Sequence, residues 1–283
     1  MQTTNFSRRR FMALAAVAPW AARMATAAGK IPMGIEMYSV RDELKKDPKE
    51  AVRQVAAMGY AGLEFYAPYF DWTLAQAQDM KKLMDDLGIR CFSTHNDAKY
   101  LNKENIQKTA ELNNALGSKY AVISTMQPGP NGWQNVADAL NFAADGLQSS
   151  GLKTGYHNHE AEFTKTNGSF PMEMIAKNTK PTVMLQLDVG TCVAAGADPV
   201  AWIKSNPGRI RSLHCKDWAP GGEDKGFHVL FGEGVSPWKE IFAAASTVGG
   251  AEYYLMEQEG SRYSELETAK LCLQTYKSKF AQS

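Results

Sequence analysis

The stretch TVMLQLDVGTCVAAGADPVAWIKSNPGRIRSLH, residues 182–214, decides the fold class of this chain. It contains two short apolar runs, and a longer segment with helical spacing lies between them. Asp188 follows the first run, and His214 ends the second run. Two short apolar runs joined through a helix are typical of a βαβ unit with parallel strands. The stretch therefore predicts a parallel sheet with a polar residue at the end of each strand.

The same alternation continues over most of the 283 residues. The predicted strands are Pro32–Tyr38, Gly62–Phe65, Ile89–Thr94, Tyr120–Ser124, Lys153–Asn158, Thr182–Leu187, Ile210–His214 and Glu252–Met256. The predicted helices are Pro48–Met58, Thr73–Leu87, Asn102–Leu116, Trp133–Ser149, Phe170–Asn178, Pro199–Ser205, Pro237–Ser246 and Tyr263–Phe280. Eight such units without a composition break predict an α/β fold, a closed (β/α)8 TIM barrel. An open doubly wound sheet is the alternative, but no G-x-G-x-x-G motif follows the first predicted strand.

The first 27 residues have the features of an export signal rather than of a barrel. Ser7–Met12 contains a twin-arginine pattern, Phe11–Ala22 is weakly apolar, and Ala25–Ala27 is a small-residue cleavage site. The order of these features predicts a Tat signal peptide over residues 1–27 and a periplasmic mature protein. Residues 28–283 would then form a single catalytic barrel domain. The alternative is a cytoplasmic protein with a basic tail.

The charge of the chain argues against a nucleic-acid partner. Lys and Arg number 31, Asp and Glu number 30, and the formal net charge is +1. Removal of residues 1–27 takes away four arginines and no acidic residue, so that the net charge becomes −3. Nucleic-acid binding depends on clustered cations, and we see no basic stripe. No later stretch is long and apolar enough to span a bilayer, so we also expect no membrane partner after signal removal.

Metal-binding residue types stand at the ends of the last predicted strands. In a TIM barrel the carboxyl ends of the strands form the active-site face. Asp188, His214 and Glu257 stand at the ends of the sixth, seventh and eighth predicted strands. Two carboxylates and an imidazole suit Mn²⁺, Zn²⁺, Co²⁺ or Mg²⁺. His157 and His159 lie at the end of the fifth strand, and since residues i and i+2 share a face, either imidazole is a candidate fourth ligand.

Four segments of the chain share a pattern with a known superfamily. They are Gly155–Phe163 (GYHNHEAEF), Leu187–Gly190 (LDVG), Leu213–Asp217 (LHCKD) and Met256–Glu259 (MEQE). Together they resemble the xylose isomerase-like TIM barrels, also called sugar phosphate isomerases/epimerases. The Tyr-His-Asn-His motif is typical of one branch of that superfamily. That superfamily holds isomerases, 3-epimerases, dehydratases, lyases acting on 3-keto-glycosides and apurinic endonucleases. The resemblance therefore implies the scaffold and the metal more strongly than the reaction.

The resemblance implies that Asp188, His214 and Glu257 bind one divalent metal ion. Many relatives have a glutamate on the fifth strand where this chain has His157, which we prefer as the fourth ligand. The additional imidazole favours Mn, Zn or Co over Mg. Relatives also place a carboxylate just past the fifth strand, and Glu162 matches it as the candidate base. The alternative for Glu162 is a helix-start or surface charge.

Three further residues are candidate catalytic groups. The first is His159, the imidazole at the end of the fifth strand that we do not assign to the metal. Lys216 either stabilises developing oxyanion charge or forms a salt bridge with Asp217. His95 either contacts substrate hydroxyls and shuttles a proton or is a structural histidine.

Candidates for sugar binding lie in or beside the loops that follow the strands. Glu64 either accepts hydrogen bonds from sugar hydroxyls or stabilises the barrel mouth. Trp72, Trp133 and Trp218 have flat apolar faces that suit stacking on a sugar ring, although packing is the alternative for each. The Gly232–Gly234 loop precedes a predicted helix and could receive a phosphate at the helix N-terminus.

These residues predict a divalent-metal-dependent sugar isomerase or epimerase. A metal that polarises a sugar carbonyl allows a base to remove the neighbouring carbon-bound proton through an enediolate. We expect an exported enzyme to act on a small-molecule carbohydrate without phosphate. The alternatives are a lyase or hydratase acting on 3-keto-glycosides and, in another class, a non-catalytic sugar-binding barrel. Barrels of this kind often pair, so a homodimer remains an open expectation.

Overall fold

Eight parallel strands close a barrel in the computed structural model, which describes residues 30–166, 168–222 and 225–281. The strands are β1 (Met33–Glu36), β2 (Gly62–Phe65), β3 (Arg90–Asp97), β4 (Tyr120–Thr125), β5 (Lys153–His157), β6 (Met184–Asp188), β7 (Ser212–Cys215) and β8 (Tyr253–Met256). Each strand pairs in parallel with the next, and β8 pairs with β1 to close the ring. The predicted barrel is confirmed, whereas the predicted signal peptide over residues 1–27 lies outside the described residues.

Helices connect the strands over the described part of the chain. The α-helices are α1 (Arg41–Lys46), α2 (Pro48–Met58), α3 (Leu74–Leu87), α4 (Ile106–Leu116), α5 (Gln134–Gln148), α6 (Pro171–Asn178), α7 (Val189–Ala194), α8 (Pro199–Ser205), α9 (Trp238–Ala244) and α10 (Glu265–Lys279). Short 3-10 helices cover Met37–Val40, Ala67–Asp71, Ala98–Leu101 and Ala161–Phe163, and a π-helical turn covers Ala245–Gly249. None of the described helices is both long and apolar enough to cross a membrane.

Local sequence signals set the two ends of α2. Asp47 caps its start, because its carboxylate accepts hydrogen bonds from two backbone N–H groups of the first turn at 2.9 and 3.1 Å. Pro48 takes the first helical position, where an N–H group would have no partner. Gly59 ends the helix in the left-handed conformation, with a φ of 89°. The predicted bounds of this helix are therefore confirmed.

Buried carboxylates bend the chain at the ends of two strands, at places where no turn is predicted from the sequence. β1 stops at Glu36 rather than at Tyr38, because the Glu36 carboxyl group accepts from the Tyr38 N–H at 3.3 Å and the chain enters a 3-10 helix. Helix α7 begins directly after Asp188, whose carboxylate accepts from the Thr191 N–H at 3.0 Å. Both turns place acidic side chains at the carboxyl-terminal face of the barrel.

The barrel interior is divided into two layers. The lower layer, toward the amino-terminal ends of the strands, is an apolar cluster of Phe92, Tyr120, Val122, Met184, Tyr253 and Leu255. The upper layer consists of the buried polar side chains Glu36, Glu64, His95, His157, Gln186, Asp188, His214 and Glu257. Gly62 leaves room for the Phe92 ring, which a Cβ atom at this position would overlap. The packed lower layer closes the barrel, so chemistry is confined to the upper layer.

Candidate metal centre

Asp188 has one carboxylate oxygen without a hydrogen-bond partner. Its Oδ1 accepts from the Thr191 N–H and caps α7. Its Oδ2 is buried with no hydrogen-bond partner in the described part of the chain, and Lys216 Nζ lies 3.7 Å away. Burial raises the pKa of Asp188 to about 6, with Lys216 opposing the rise and Glu257 adding to it. A buried carboxylate oxygen in this state is costly unless a cation binds it.

His157 faces the same oxygen from the end of β5. Its Nε2 lies 3.8 Å from Asp188 Oδ2, and its Nδ1 lies 3.2 Å from the amide oxygen of Gln186. Burial lowers the pKa of His157 well below its usual value, and His214 and His95 lower it further. A neutral imidazole that donates from Nδ1 keeps its lone pair on Nε2. Two lone pairs therefore face each other across 3.8 Å.

His214 lies between two carboxylates. Its Nδ1 is 2.8 Å from Glu257 Oε2, and its Nε2 is 2.9 Å from Glu64 Oε1. Burial favours the neutral ring, but Glu257 and Glu64 raise the pKa of His214 to about 10. Burial would also raise the pKa of Glu257, but Lys216 and His214 hold it below its usual range. A proton therefore joins His214 to Glu257 where no metal replaces it.

These four side chains fit a divalent cation. The ligand atoms of His157, Asp188 and Glu257 all lie within 4.8 Å of one another, and His214 contacts Glu257 directly. A cation there would bind the Asp188 oxygen that has no hydrogen-bond partner and the lone pair of His157. The Nε2–H of His214 would remain on Glu64, a carboxylate–histidine pair of the kind that commonly supports metal ligands. The structure thus brings the four predicted ligands together.

The structure distinguishes the two imidazoles, His157 and His159, that the sequence offers as candidates for the fourth metal ligand. His157 lies beside Asp188, whereas His159 is exposed and lines the pocket above, with its ring centroid 5.0 Å from that of His157. Glu162 is buried, and its two oxygens accept from the Tyr156 hydroxyl at 2.5 Å and the His159 N–H at 2.8 Å. Because Glu162 is buried, is not among the residues that line the pocket and accepts from both ends of this turn, its placement supports a role in shaping the turn after β5. It argues against the predicted role as base.

Glu64 lies below the pocket rather than in its wall. It is fully buried, and it accepts from His214, from Gln186 Nε2 at 3.0 Å and from the Ser93 hydroxyl. Burial would raise the pKa of Glu64, but His95 and His214 lower it to about 2. An ionised carboxylate with this many donors orients the histidines above it. The geometry therefore favours a structural role for Glu64 over the predicted contact with sugar hydroxyls.

His95 connects Glu64 to the pocket. Its Nε2 lies 2.8 Å from Gln186 Oε1 and 3.2 Å from Glu64 Oε1, and the residue lines the pocket. Burial lowers the pKa of His95, although Glu64 opposes this. Since both neighbours of Nε2 are acceptors, the proton of the neutral ring lies on Nε2 and the lone pair on Nδ1. A histidine held in one tautomer by a carboxylate suits general base catalysis.

Lys216 is a buried cation at the edge of the cluster. Its ammonium group contacts Glu259 and lies 3.7 Å from Asp188 Oδ2. Burial opposes its charge, but Glu257 and two other carboxylates raise the pKa of Lys216 above its usual value. Of the two predicted roles, the salt bridge with Asp217 is wrong, because Lys216 pairs with carboxylates on β6 and after β8. A charged ammonium group at this place can stabilise an oxyanion.

The Asp217 carboxylate binds the Gly232–Gly234 loop, the candidate phosphate site. This carboxylate accepts from the N–H groups of Gly232 and Gly234 at 2.9 and 3.1 Å, and from Trp238 Nε1 at 2.9 Å. A Cβ atom at Gly234 would overlap this carboxylate, so glycine is required for the close approach. The donors of the loop are therefore taken by a carboxylate of the chain itself.

A pocket of about 440 Å³ opens above the upper layer. Its lining includes His95, His157 and Glu257 from the upper layer, the ammonium-bearing Lys216, and the aromatic side chains Tyr38, Tyr66 and Tyr100. In the described part of the chain, Trp72, Trp133 and Trp218 do not line it. Trp72 and Trp133 instead pack against the hydrophobic core. The aromatic surface available to a sugar ring is therefore formed by tyrosines, not by the predicted tryptophans.

Sequence reasoning missed Glu36 and Gln186. Burial, then Glu64, raises the pKa of Glu36 well above its usual value, and Glu36 Oε2 is buried without a hydrogen-bond partner in the described part of the chain. Gln186 contacts both His95 and His157. Each residue interrupts an apolar strand with a polar side chain, and Gln186 shares a strand face with Asp188 two residues on. That interruption is the signal that could have identified them.

Comparisons with known proteins identify the family. A sequence profile described as xylose isomerase-like TIM barrel matches residues 52–275, and the chain belongs to this family. The structure of a sugar phosphate isomerase/epimerase from Parabacteroides distasonis is similar with a TM-score of 0.73 and 25% identity, over 92% of this chain and 98% of that chain. The predicted family is confirmed.

Curated relatives are enzymes of the lyase type. An inosose dehydratase of Bacillus anthracis is 22% identical over 245 residues, covering 75% of this chain and 82% of that protein. An inosose dehydratase of Clostridium botulinum is 26% identical over 222 residues, covering 71% and 72%. Together with the family, these relatives identify the chain as an enzyme of the isomerase or lyase kind.

Proposed function

We propose that the chain is a divalent-metal-dependent sugar isomerase or epimerase that removes a proton next to a carbonyl of an unphosphorylated sugar. The observation that carries the proposal is the approach of His157 Nε2 to within 3.8 Å of Asp188 Oδ2, a buried oxygen without a hydrogen-bond partner in the described part of the chain, with His214 and Glu257 beside them. When bound, the cation would polarise the sugar carbonyl and make the neighbouring carbon acidic. The imidazole ligands favour Mn, Zn or Co over Mg.

His95 is the proposed proton acceptor. Its neutral ring has a lone pair on Nδ1, because its Nε2–H is held by Gln186 and Glu64. When the ring takes up a proton, the Glu64 carboxylate stabilises the resulting imidazolium, as a buried carboxylate does behind a general-base histidine. Glu162 is not needed for this step, since it is buried and is not among the residues that line the pocket.

Lys216 is the proposed stabiliser of the developing oxyanion. Its ammonium group lines the pocket and remains charged among three carboxylates. Proton removal next to a carbonyl moves negative charge onto the carbonyl oxygen, and a fixed cation in a buried site stabilises that charge. His159, exposed at the pocket wall, is the candidate to return a proton to the substrate.

We propose a substrate without phosphate because the hydrogen-bond donors and cations in and near the pocket are already paired with carboxylates of the chain. The Gly232–Gly234 loop donates to Asp217, and Lys216 is paired with Glu259. Lys99, another cation of the pocket lining, lies 3.8 Å from Asp97. A phosphate dianion would have to displace a carboxylate at each of these places, whereas sugar hydroxyls can share donors and acceptors with them.

Elimination is the second candidate reaction, and the dehydratase names of the curated relatives favour it. It begins with the same proton transfer to His95. The electron pair of the broken C–H bond then forms a C=C bond as the group on the next carbon leaves with a proton. His159 would supply that proton, and a 3-keto-glycoside is a substrate with the required carbonyl, carbon-bound proton and leaving group.

Export through the Tat pathway to the periplasm is a further part of the proposal. It is supported by the twin-arginine pattern in Ser7–Met12 and the small residues at Ala25–Ala27. Fusing residues 1–27 to a periplasmic reporter tests it directly. We expect export of the fusion and its loss in the Arg8→Lys/Arg9→Lys double variant, and a fusion that stays in the cytoplasm would contradict the proposal.

Proton exchange in D₂O tests the proposed reaction. The protein, loaded with Mn²⁺, is incubated with a panel of free ketoses, aldoses and 3-keto-glycosides, and ¹H NMR follows the carbon-bound protons next to each carbonyl. We expect loss of one such signal with at least one compound. The product then separates isomerisation from elimination, because elimination releases the leaving group.

Variants connect the exchange to the named residues. We expect His95→Gln to slow exchange by roughly 10²–10⁴-fold, the range for loss of a general base, without loss of metal. His228→Gln is the matched control, since His228 is exposed in the loop before α9. A metal-loaded protein that binds a sugar of the panel but exchanges no proton would contradict the enzyme mechanism and support the sugar-binding barrel.

A further inference from the structure

The side-chain amide of Gln186 lies between the candidate metal ligand and the candidate base. It is fully buried in the upper layer. Its Oε1 is 2.8 Å from His95 Nε2 and 3.2 Å from His157 Nδ1. Its Nε2 is 3.0 Å from Glu64 Oε2 and 3.5 Å from the Ser212 hydroxyl. One amide thus contacts two imidazoles on one side and a carboxylate on the other.

The carboxylate fixes which way the amide points. An ionised Glu64 only accepts hydrogen bonds, so the amide NH₂ group of Gln186 must face it. The amide oxygen then faces His95 and His157, and an amide oxygen can only accept. The two ring nitrogens that contact this oxygen must therefore both carry protons.

Two tautomers follow from this orientation. His95 carries its proton on Nε2 and keeps a lone pair on Nδ1. His157 carries its proton on Nδ1 and keeps a lone pair on Nε2, the atom that lies 3.8 Å from Asp188 Oδ2. The two rings have opposite tautomers because they approach the same oxygen through different nitrogens.

We propose that Gln186 is a positioning residue that sets the tautomers of His95 and His157 at the same time, and thereby holds one ring ready for a metal and the other ready for a proton. The part that concerns the metal rests on the proposed function, whereas the tautomers are a property of the metal-free protein. Without the amide oxygen, the proton of His157 is free to move to Nε2, where it would stand between the ring and a cation. Loss of Gln186 would then weaken metal binding although Gln186 is not a ligand.

Nitrogen NMR of the metal-free protein tests the tautomers directly. Histidine is labelled with ¹⁵N, and long-range ¹H–¹⁵N correlations show which ring nitrogen carries the proton. The comparison includes wild type, Gln186→Met, Gln186→Glu and Ser212→Ala. Methionine has a similar shape but no strong acceptor, glutamate keeps an acceptor oxygen, and Ser212 contacts the amide nitrogen without contacting either imidazole.

We expect Nδ1–H for His157 and Nε2–H for His95 in the wild-type protein. Gln186→Met should shift His157 to Nε2–H or to a mixture of tautomers, while Gln186→Glu and Ser212→Ala should retain the wild-type pattern. A wild-type His157 protonated on Nε2 would overturn the inference. An unchanged His157 tautomer in a folded Gln186→Met variant would overturn it as well. If Gln186→Met does not fold, a Gln186→Glu variant that loses the pattern while folded would also count against it.

Metal titration provides the second readout. We expect Gln186→Met to weaken Zn²⁺ or Co²⁺ binding by roughly 10–100-fold, the effect typical of residues that support metal ligands. Ser212→Ala should stay within about twofold of the wild-type affinity. Equal affinities for wild type and Gln186→Met would overturn the link to the metal. A wild-type protein with the expected tautomers that binds no metal would contradict the proposed function and leave the tautomer assignment standing.

Discussion

The lower and upper layers of the barrel interior differ in what fills them. The lower layer is an apolar cluster that closes the barrel, with Gly62 leaving room for the Phe92 ring. The upper layer, nearer the carboxyl ends of the strands, is made of carboxyl groups, imidazoles and an amide. Close packing stabilises the lower layer. Hydrogen bonds satisfy most of the upper layer, yet among the described residues they leave Glu36 Oε2 and Asp188 Oδ2 without a hydrogen-bond partner.

This difference shows that the upper layer, unlike the lower one, contains buried polar groups that reduce the stability of the fold. A buried polar group without a partner destabilises a protein by about 1–3 kcal/mol. The chain bears this cost at the carboxyl ends of the strands, where a pocket gives access, and has no such oxygen in the lower layer among the described residues. The upper layer should therefore respond to a cation, and the lower layer should respond only to packing.

The largest expected effect on stability lies in the lower layer. Phe92→Ala removes a buried ring beside Tyr253, so we expect a loss of about 3–5 kcal/mol in the free energy of unfolding. Urea denaturation measures this loss, and Phe142→Ala, on an exposed part of α5, is the control expected to change little. Metal affinity in the folded Phe92→Ala variant should stay near the wild-type value. A large loss of affinity would show that the two layers are not independent.

The next effect concerns turnover in the upper layer. Lys216→Met removes the cation that we assign to the developing oxyanion, and we expect kcat to fall by roughly 10²–10³-fold. Steady-state kinetics on the substrate found by proton exchange measures the change. Lys204→Met, exposed on α8, is the matched control. A kcat within a few-fold of wild type would remove Lys216 from the mechanism.

Metal binding should stabilise the protein through the upper layer alone. At a free metal concentration 100 times the Kd, we expect about 2.7 kcal/mol of added stability. Differential scanning calorimetry with and without Mn²⁺ measures it as a rise in Tm. Phe92→Ala should show the same increment from its lower baseline, and Asp188→Asn should show none. An equal increment in Asp188→Asn would place the cation elsewhere.

The smallest effect separates Glu162 from the catalytic groups. Glu162→Gln replaces an acceptor oxygen by an NH₂ group that faces a donor, either the Tyr156 hydroxyl or the His159 N–H. We expect a stability loss of about 1–3 kcal/mol and a kcat within about tenfold of wild type. A fall of more than a hundredfold, without unfolding, would restore Glu162 as the base.

The fold could be predicted from the sequence because the periodicity of apolar residues, the helix caps and the glycines indicate the same bounds for most of its elements. Asp47 and Gly59 set the bounds of α2, and the strand β2 has the bounds that were predicted. Helix α7 was not predicted, because its cap is a tertiary feature: Asp188 is both the end of a buried strand and an acceptor for Thr191. Its six residues carry little periodicity of their own.

The site was readable only in part. The residue types at strand ends indicated Asp188, His214 and Glu257, because a barrel brings those ends together. The partners of each side chain depend on distances across the barrel, which no local pattern contains. Glu64 and Glu162 are carboxylates near strand ends like the others, but their oxygens are occupied by donors from other strands and turns.

Metal stoichiometry of the purified protein tests the central claim most directly. Wild type, Asp188→Asn and Asp198→Asn are incubated with Mn²⁺, Zn²⁺ or Co²⁺, freed of excess metal and measured by elemental analysis. Asp198 is the matched control, because it caps α8 as Asp188 caps α7 but lies outside the cluster. We predict about one equivalent in wild type and Asp198→Asn and far less in Asp188→Asn. No bound metal in wild type, or equal metal in all three proteins, would contradict the account.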